Sequence, residues 1–248
     1  VVDDRSNDMT FDYLLQETKK DSRLKRVVVE HLPNHVDGKK YALTLGIKAA
    51  RHDWILLTDA DCRPAGNQWI KSMLAAGSDN ATFILGYSPY LTKPGLLNRF
   101  IRFESLITVM QYIGFAFLKR PYMGVGRNLC YRKSFFLQHK GFNNLLHITG
   151  GDDDLFVNQH ANDKNTAVAV DATSLVYSIP KTTLKSFFNQ KIRHLSVGKR
   201  YKLKHRLLLG LFSLTWIFTW LAGLPLLWLV TPFYIVAIAL FLRAVLLM

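Results

Sequence analysis
Between Leu207 and Val230 the chain runs for 24 residues, LLLGLFSLTWIFTWLAGLPLLWLV, without a charged side chain. About 20 apolar residues are enough to cross a bilayer, so this run needs either lipid or a core that surrounds a helix on every side. It exceeds the ordinary length of a buried helix, which favours lipid. Directly before it stand Lys199, Arg200, Lys202, Lys204 and Arg206. Cationic residues beside a span stay on the cytoplasmic face, so the preceding residues are expected in the cytoplasm and the protein in the cell membrane. After Thr231-Pro232 the segment FYIVAIALFLRAVLLM, broken only by Arg243, is a second candidate span and makes the expected arrangement multi-pass.

The rest of the chain is basic. The 248 residues carry 32 Lys and Arg against 18 Asp and Glu, a net charge of +14. Such an excess suits nucleic acid, an anionic membrane face or anionic substrates. No zinc-ligand spacing, RNA-binding aromatic signature or basic recognition helix is present, which argues against nucleic acid as a partner. The two cysteines, Cys62 and Cys130, are not in a CxxC pair and are expected to be reduced thiols.

Upstream of the apolar run, strand-like and helix-like segments alternate. RVVVEHL (26–32), WILLTDAD (54–61), TFILGY (82–87) and TAVAVD (166–171) are β-rich. Thr10–Lys20, Lys39–Arg51, Gln68–Ala76 and Asp152–Asn162 have helical patterns. Alternation of this kind implies an α/β domain with a mostly parallel sheet, whose ligands bind beyond the carboxyl ends of the strands. The expected division is a catalytic domain over residues 1–200 and a basic juxtamembrane segment with transmembrane helices over 201–248. The opening VVDD has the character of a strand end, so the domain's first strand is expected to be missing.

The acids fall where such a domain builds its site. Asp3 and Asp4 end the first β-rich run, Asp59 and Asp61 end another, and Asp152, Asp153 and Asp154 follow two glycines. Asp3 and Asp4 with Ser6 could equally be turn formers and a helix cap. Three aspartates at a helix start could simply complement its macrodipole. Asp-Ala-Asp after ILLT is harder to explain without a ligand. A strand exit has no need of two carboxylates, whereas Mg²⁺ or Mn²⁺ takes carboxylate oxygens.

Four segments in this order, VVDDRSND, GKKYALTLGIKAARHDWILLTDADCRP, GGDDDLFVN and QKIRH, resemble the family 2 glycosyltransferases. These are inverting nucleotide-sugar enzymes of the GT-A fold, a Rossmann-like sheet flanked by helices, related to cellulose and hyaluronan synthases. The resemblance covers about residues 1–200. It implies that Asp59 and Asp61 hold a divalent cation (Mg²⁺ or Mn²⁺) on the donor diphosphate, and that Asp3 and Asp4 contact the nucleoside. It also implies that Lys39 approaches the phosphates, with Lys40 the weaker candidate.

Counting back from Leu155, the family's acid-Asp-x-acid-Leu pattern places the catalytic base at Asp152, or at Asp153 if the register slips by one. The pattern's preceding acid is Gly151 here, a departure. Gln190, Arg193 and His194 match QxxRW with His for Trp, on one helix face able to reach phosphate or acceptor oxygens. The implied activity is polysaccharide or glycolipid synthesis from a nucleotide-sugar, a UDP-sugar first, onto a glycan or lipid-linked acceptor. A non-catalytic scaffold that binds nucleotide or anionic lipid is the alternative. GVGRNLCYR (124–132) is either an acceptor-side loop or an ordinary turn. KPGLLNRFIRFESLITVMQYIGFAFLKRPY (93–122) is either a membrane-surface helix or one packed on the core.

Overall fold
The computed structural model describes residues 1–229 and 233–245. Val230, Thr231-Pro232 and the last three residues of the second expected span lie outside the described residues.

In chain order the elements are β1 (Val2–Asp4), α1 (Thr10–Lys20), β2 (Val27–Val29), α2 (Gly38–Ala49), β3 (Trp54–Leu57) and β4 (Cys62–Pro64). Then come α3 (Trp69–Ala75), β5 (Phe83–Gly86), α4 (Leu96–Phe117), β6 (Leu129–Arg132), α5 (Lys133–Gln138) and α6 (Asp154–His160). The rest are β7 (Thr166–Ala169), β8 (Val176–Ser178), α7 (Leu184–Gly198), α8 (Leu203–Leu229) and α9 (Phe233–Val245).

The α/β alternation is present, but the sheet is mixed rather than mostly parallel. Its four strands lie in the order β3-β6-β5-β7. β6 runs antiparallel to both β3 and β5, and β7 runs parallel to β5. β1 pairs with β2 in parallel, and β4 with β8 antiparallel. The reversal comes from Leu129–Arg132, which sequence placed inside a loop or turn. Three of those four residues are fully buried, and the strand is central.

Both faces of the sheet are covered. Phe83, Leu85, Leu129 and Tyr131 point into one core with Phe136, Phe142 and Phe156. Ile84 and Cys130 point the other way, onto Met73 and Ala169. This is the period-two geometry of strands buried on both sides, and it explains why β5 has no polar alternation. Asn128, fully buried just before β6, braces the strand ends. Its Nδ2 donates to the carbonyls of Tyr87 and Ser174, each at 2.8 Å, and its Oδ1 accepts from Trp69 Nε1 at 3.0 Å.

Of the two readings of 93–122, the structure shows a helix packed on the core along one face. α4 buries Ile101, Ser105, Val109, Tyr112 and Ile113 at helical spacing and leaves Leu96, Phe100, Phe103 and Met110 exposed on the other side. It is held to α7 by a Lys191–Glu104 ion pair and by the Phe100–Phe187 ring contact at 5.7 Å. α4 and α8 are each long and apolar enough to cross a membrane. They differ in burial: α8 has Leu207, Leu214, Phe218 and Leu221 each 63–71% exposed, with little of the helix covered by protein. α9 has 13 residues and meets α8 where Gly223 faces Leu240.

The Asn128 brace leaves no room at Gly86, where an added Cβ would lie 2.5 Å from the Asn128 side chain and 2.8 Å from its carbonyl oxygen. Gly86→Ala is expected to cost about 1–3 kcal/mol through overpacking, read as a fall in apparent melting temperature of the detergent-solubilised protein. Gly66→Ala, which meets nothing within 4 Å, is the control and should melt with the wild type.

Candidate functional site
The site begins at the first turn of α2. Asp37 caps the helix by accepting from the Lys40 backbone N–H at 3.1 Å. Lys40 is fully buried, and its Nζ donates to the carbonyl oxygens of Ile148 and Gly150. Burial lowers its pKa, against the pull of Asp37 at 3.9 Å and of the aspartates beyond. Lys40 is therefore a strut under the Gly-Gly-Asp loop and cannot approach a phosphate. Lys39, the neighbouring residue, points the other way. Its half-exposed ammonium lies 3.0 Å from Asp152 Oδ2 and 3.5 Å from Asp59 Oδ1. Desolvation alone would lower its pKa, but Asp152, Asp59 and Asp153 together hold it above the ordinary lysine value.

The three aspartates after the glycines have separate jobs. The helix starts two residues later than sequence suggested, at Asp154, with Asp153 as its cap. Asp153 Oδ2 accepts from the Gly126 N–H at 2.6 Å and Oδ1 from the Asp154 N–H at 2.8 Å, so backbone donors occupy both oxygens. Burial and then Asp152 raise its pKa. Asp152 is 5% exposed and meets Lys39. The missing acid at 151 has a structural reason: Gly151 has φ +77°, and a Cβ there would lie 2.7 Å from Leu155 Cδ1 and 2.9 Å from Val197 Cγ1. Asp154 turns away to accept from Tyr201 Oη at 2.7 Å. Burial, then repulsion from Asp153, push its pKa up to about 7.

α6 is further tied to the start of α8. Asn158 Oδ1 accepts from the Lys202 N–H at 2.9 Å, and its amide meets His205 Nδ1 at 2.9 Å.

A cavity of about 690 Å³ joins these groups. Its wall includes Lys39, Asp59, Asp152 and Asp153 together with Gln190, Arg193 and His194 of α7, so seven of the ten predicted site residues meet there. α7 starts at the Thr183 cap, whose hydroxyl accepts from the Ser186 N–H at 3.2 Å. The His194 pKa is pushed down to about 4, first by desolvation within the groove and then by Lys191, Arg193, Arg127 and Lys39. Its imidazole is therefore neutral at pH 7. Asp3, Asp4 and Asp61 lie outside the cavity wall. Asp3 is buried and accepts from both the backbone N–H and the hydroxyl of Ser6, which is the turn-forming role. Asp4 pairs with Arg5 at 2.9 Å and sits against Gly38, one residue from Lys39.

Asp59 and Asp61 follow β3, and Asp61 is exposed beside Cys62. Among the described residues no three His, Cys, Asp or Glu side chains form a metal cage. Two carboxylates at a strand exit nevertheless fit a hard divalent cation that completes its shell with water and phosphate oxygens. Sequence reading missed Arg127, which lines the cavity in the loop before β6. Its signal was a cation inside GVGRN.

The description Glycosyl transferase family 2 matches residues 1–142, more than half the chain. A search of the curated proteins found no match. Among solved structures, a mannosyltransferase, PcManGT from Pyrobaculum calidifontis in complex with GDP-Man and Mn²⁺, is similar at TM-score 0.58 and 15% identity over 82% of this chain. The chain spans 55% of that protein's length. S. aureus TarS (residues 1–349) aligns at TM-score 0.47 and 15% identity, covering 72% of this chain and 50% of its own. The family match and the likeness to the mannosyltransferase support a GT-A-like fold.

Two outcomes follow from the loop. Lys40→Met keeps the volume but strands the Ile148 and Gly150 carbonyls, and should cost about 2–4 kcal/mol in denaturant unfolding. Because the Asp154 pKa rises on folding, its contribution to stability is fully present below the ordinary aspartate value of 3.8 and is lost as pH rises through about 7. Asp154→Asn should therefore gain melting temperature relative to wild type between about pH 4 and pH 8; a constant difference across that range contradicts the titration.

Proposed function
Since the chain belongs to glycosyl transferase family 2, we propose that it is an inverting enzyme. In this reading it moves a sugar from a nucleotide-diphosphate donor to a glycan or lipid-linked acceptor at the cytoplasmic face of a membrane. The observation that carries this reading is the Lys39 ammonium, which touches both a DxD carboxylate, Asp59, and the buried Asp152. The groups that would meet the donor diphosphate and the group that would take the acceptor proton are thus within reach of one side chain.

Asp59 and Asp61 would hold a divalent cation, which supplies charge neutralisation to the departing diphosphate. A bound diphosphate competes with Asp59 and Asp152 for Lys39, drawing the ammonium onto its oxygens and freeing Asp152. Asp152 takes the proton of the acceptor hydroxyl. The acceptor oxygen then bonds to the anomeric carbon from the face opposite the diphosphate. The old carbon–oxygen bond breaks, and the nucleoside diphosphate leaves with its electron pair. Asp153 holds the turn through Gly126 and does not serve as the base. Arg193 and Gln190 face the phosphate or acceptor oxygens. Neutral His194 can hydrogen-bond a sugar hydroxyl in either direction.

Asp4, beside Gly38, is the nearer of the first acid pair to this machinery and would meet the nucleoside. The donor is a UDP-sugar or, as in the mannosyltransferase crystallised with GDP-Man and Mn²⁺, a GDP-sugar. Exposure of apolar α8 side chains and the basic residues before them support membrane attachment with the catalytic residues cytoplasmic.

Calorimetric titration of UDP and GDP into the detergent-solubilised chain, with and without Mn²⁺, tests the donor site. One nucleotide should bind with metal, and Asp61→Ala should lose it. Asp152→Asn should retain nucleotide binding and lose about 10²–10⁴-fold in transfer rate. Failure of either nucleotide to bind folded protein, or full activity of Asp152→Asn, contradicts the proposal.

A further inference from the structure
The cavity wall includes an arginine, Arg127, that the transfer chemistry leaves unused. Arg127 Nη1 and Gln190 Oε1 are both buried, and neither finds a hydrogen-bond partner among the described residues. The Arg127 guanidinium sits over the Tyr90 ring, 4.7 Å from its centroid, a contact that orients it without supplying a counter-charge. Two other cations of the same wall are matched, Lys39 by Asp59 and Asp152 and Lys191 by Glu104. Arg127 has no carboxylate partner among the described residues, although its loop is pinned to the aspartate cluster by the Gly126 N–H to Asp153 bond.

A guanidinium donor without an acceptor and an amide oxygen without a donor thus line one cavity, where a ligand could satisfy both. The missing group must bring an anionic oxygen to Arg127 and a hydroxyl to Gln190. An aromatic ring and a second carboxylate, Glu104, border the same space. That combination is typical of contact with a polyhydroxylated ring carrying one acidic substituent.

We infer that Arg127, Gln190 and Tyr90 form an acceptor subsite, and that the acceptor is a saccharide bearing a carboxylate or phosphate that pairs with Arg127. The inference rests on the glycosyl-transfer reading and names the class of its acceptor. The neutral His194 and the Asp153-held turn then place the acceptor's reacting hydroxyl toward Asp152, while its acidic group is held by Arg127.

Saturation-transfer NMR on the detergent-solubilised full chain tests it without knowledge of the natural acceptor. The probes are methyl β-D-glucuronide, glucose 6-phosphate, methyl β-D-glucoside and inorganic phosphate, each with protein alone and again with UDP or GDP and Mg²⁺. At least one of the two acidic sugars should give saturation transfer, with the neutral glucoside at least tenfold weaker. Arg127→Gln should weaken the acidic sugar at least tenfold, and Arg127→Lys should restore part of it. Nucleotide affinity, measured by calorimetry, should stay within twofold in Arg127→Gln, and circular dichroism should match the wild type.

Several outcomes overturn the inference. They are equal binding of the neutral glucoside, no signal from either acidic sugar, and acidic-sugar binding that survives Arg127→Gln. Inorganic phosphate displacing the sugar at equal concentration would show an anion site without sugar recognition. Loss of nucleotide affinity in Arg127→Gln would show that the guanidinium serves the donor diphosphate instead. Failure of the donor reading is seen separately, as absent nucleotide binding in wild type.

Discussion
A buried ammonium must find oxygens, and Lys40 finds them in the carbonyls of Ile148 and Gly150, more than a hundred residues downstream. That strut does two things at once. It fixes the Gly-Gly-Asp loop against the first turn of α2, and it fixes the rotation of α2 itself. Consecutive helical residues lie about 100° apart around the axis, so with Lys40 turned inward Lys39 is directed out toward Asp59 and Asp152. The asymmetry between two adjacent lysines thus puts one ammonium within reach of both Asp59 and Asp152. Replacing either by the other's environment is impossible without moving the loop.

The remainder of the fold holds that arrangement still. β5 and β6, buried on both faces, form the centre of the sheet, and Asn128 closes their ends against Tyr87 and Ser174. Asp153 links the β6 loop to the α6 cap, so the sheet and the base helix share one hydrogen bond at Gly126. On the other side, Tyr201, Lys202 and His205 bond to Asp154 and Asn158, so α6 is fixed to the start of the apolar helix α8. The exposed apolar helix α8 and the helix that follows the candidate base are therefore joined by polar contacts. Such contacts tolerate little slack once removed from water.

Much of this was legible in the residues. The helices at Thr10–Lys20 and near Lys39 fell within two residues of their expected bounds, because caps and apolar spacing are local signals. Asp59, Asp152, Gln190 and Arg193 converge on one cavity as their motifs implied. The mixed character of the sheet was not legible, and a mostly parallel one was expected. Nothing local in LCYR gives a strand direction, and that direction is set by partners 44–78 residues away in sequence. Lys40 was undervalued because two lysines in a row look alike until one is seen to be dry. The backbone donors that occupy Asp153, which favour Asp152 as the base in the proposed reading, likewise show only in the fold. The importance of Arg127 depends on an absence, an acceptor it does not have, which no motif can display.

The central claim is that a single carboxylate, Asp152, activates the incoming hydroxyl on the face opposite the diphosphate. Donor hydrolysis without acceptor, followed by proton NMR of the released sugar before mutarotation, tests it most directly. The account predicts that the first sugar released has the anomeric configuration opposite to that of the donor. Release with the donor's own configuration would contradict it.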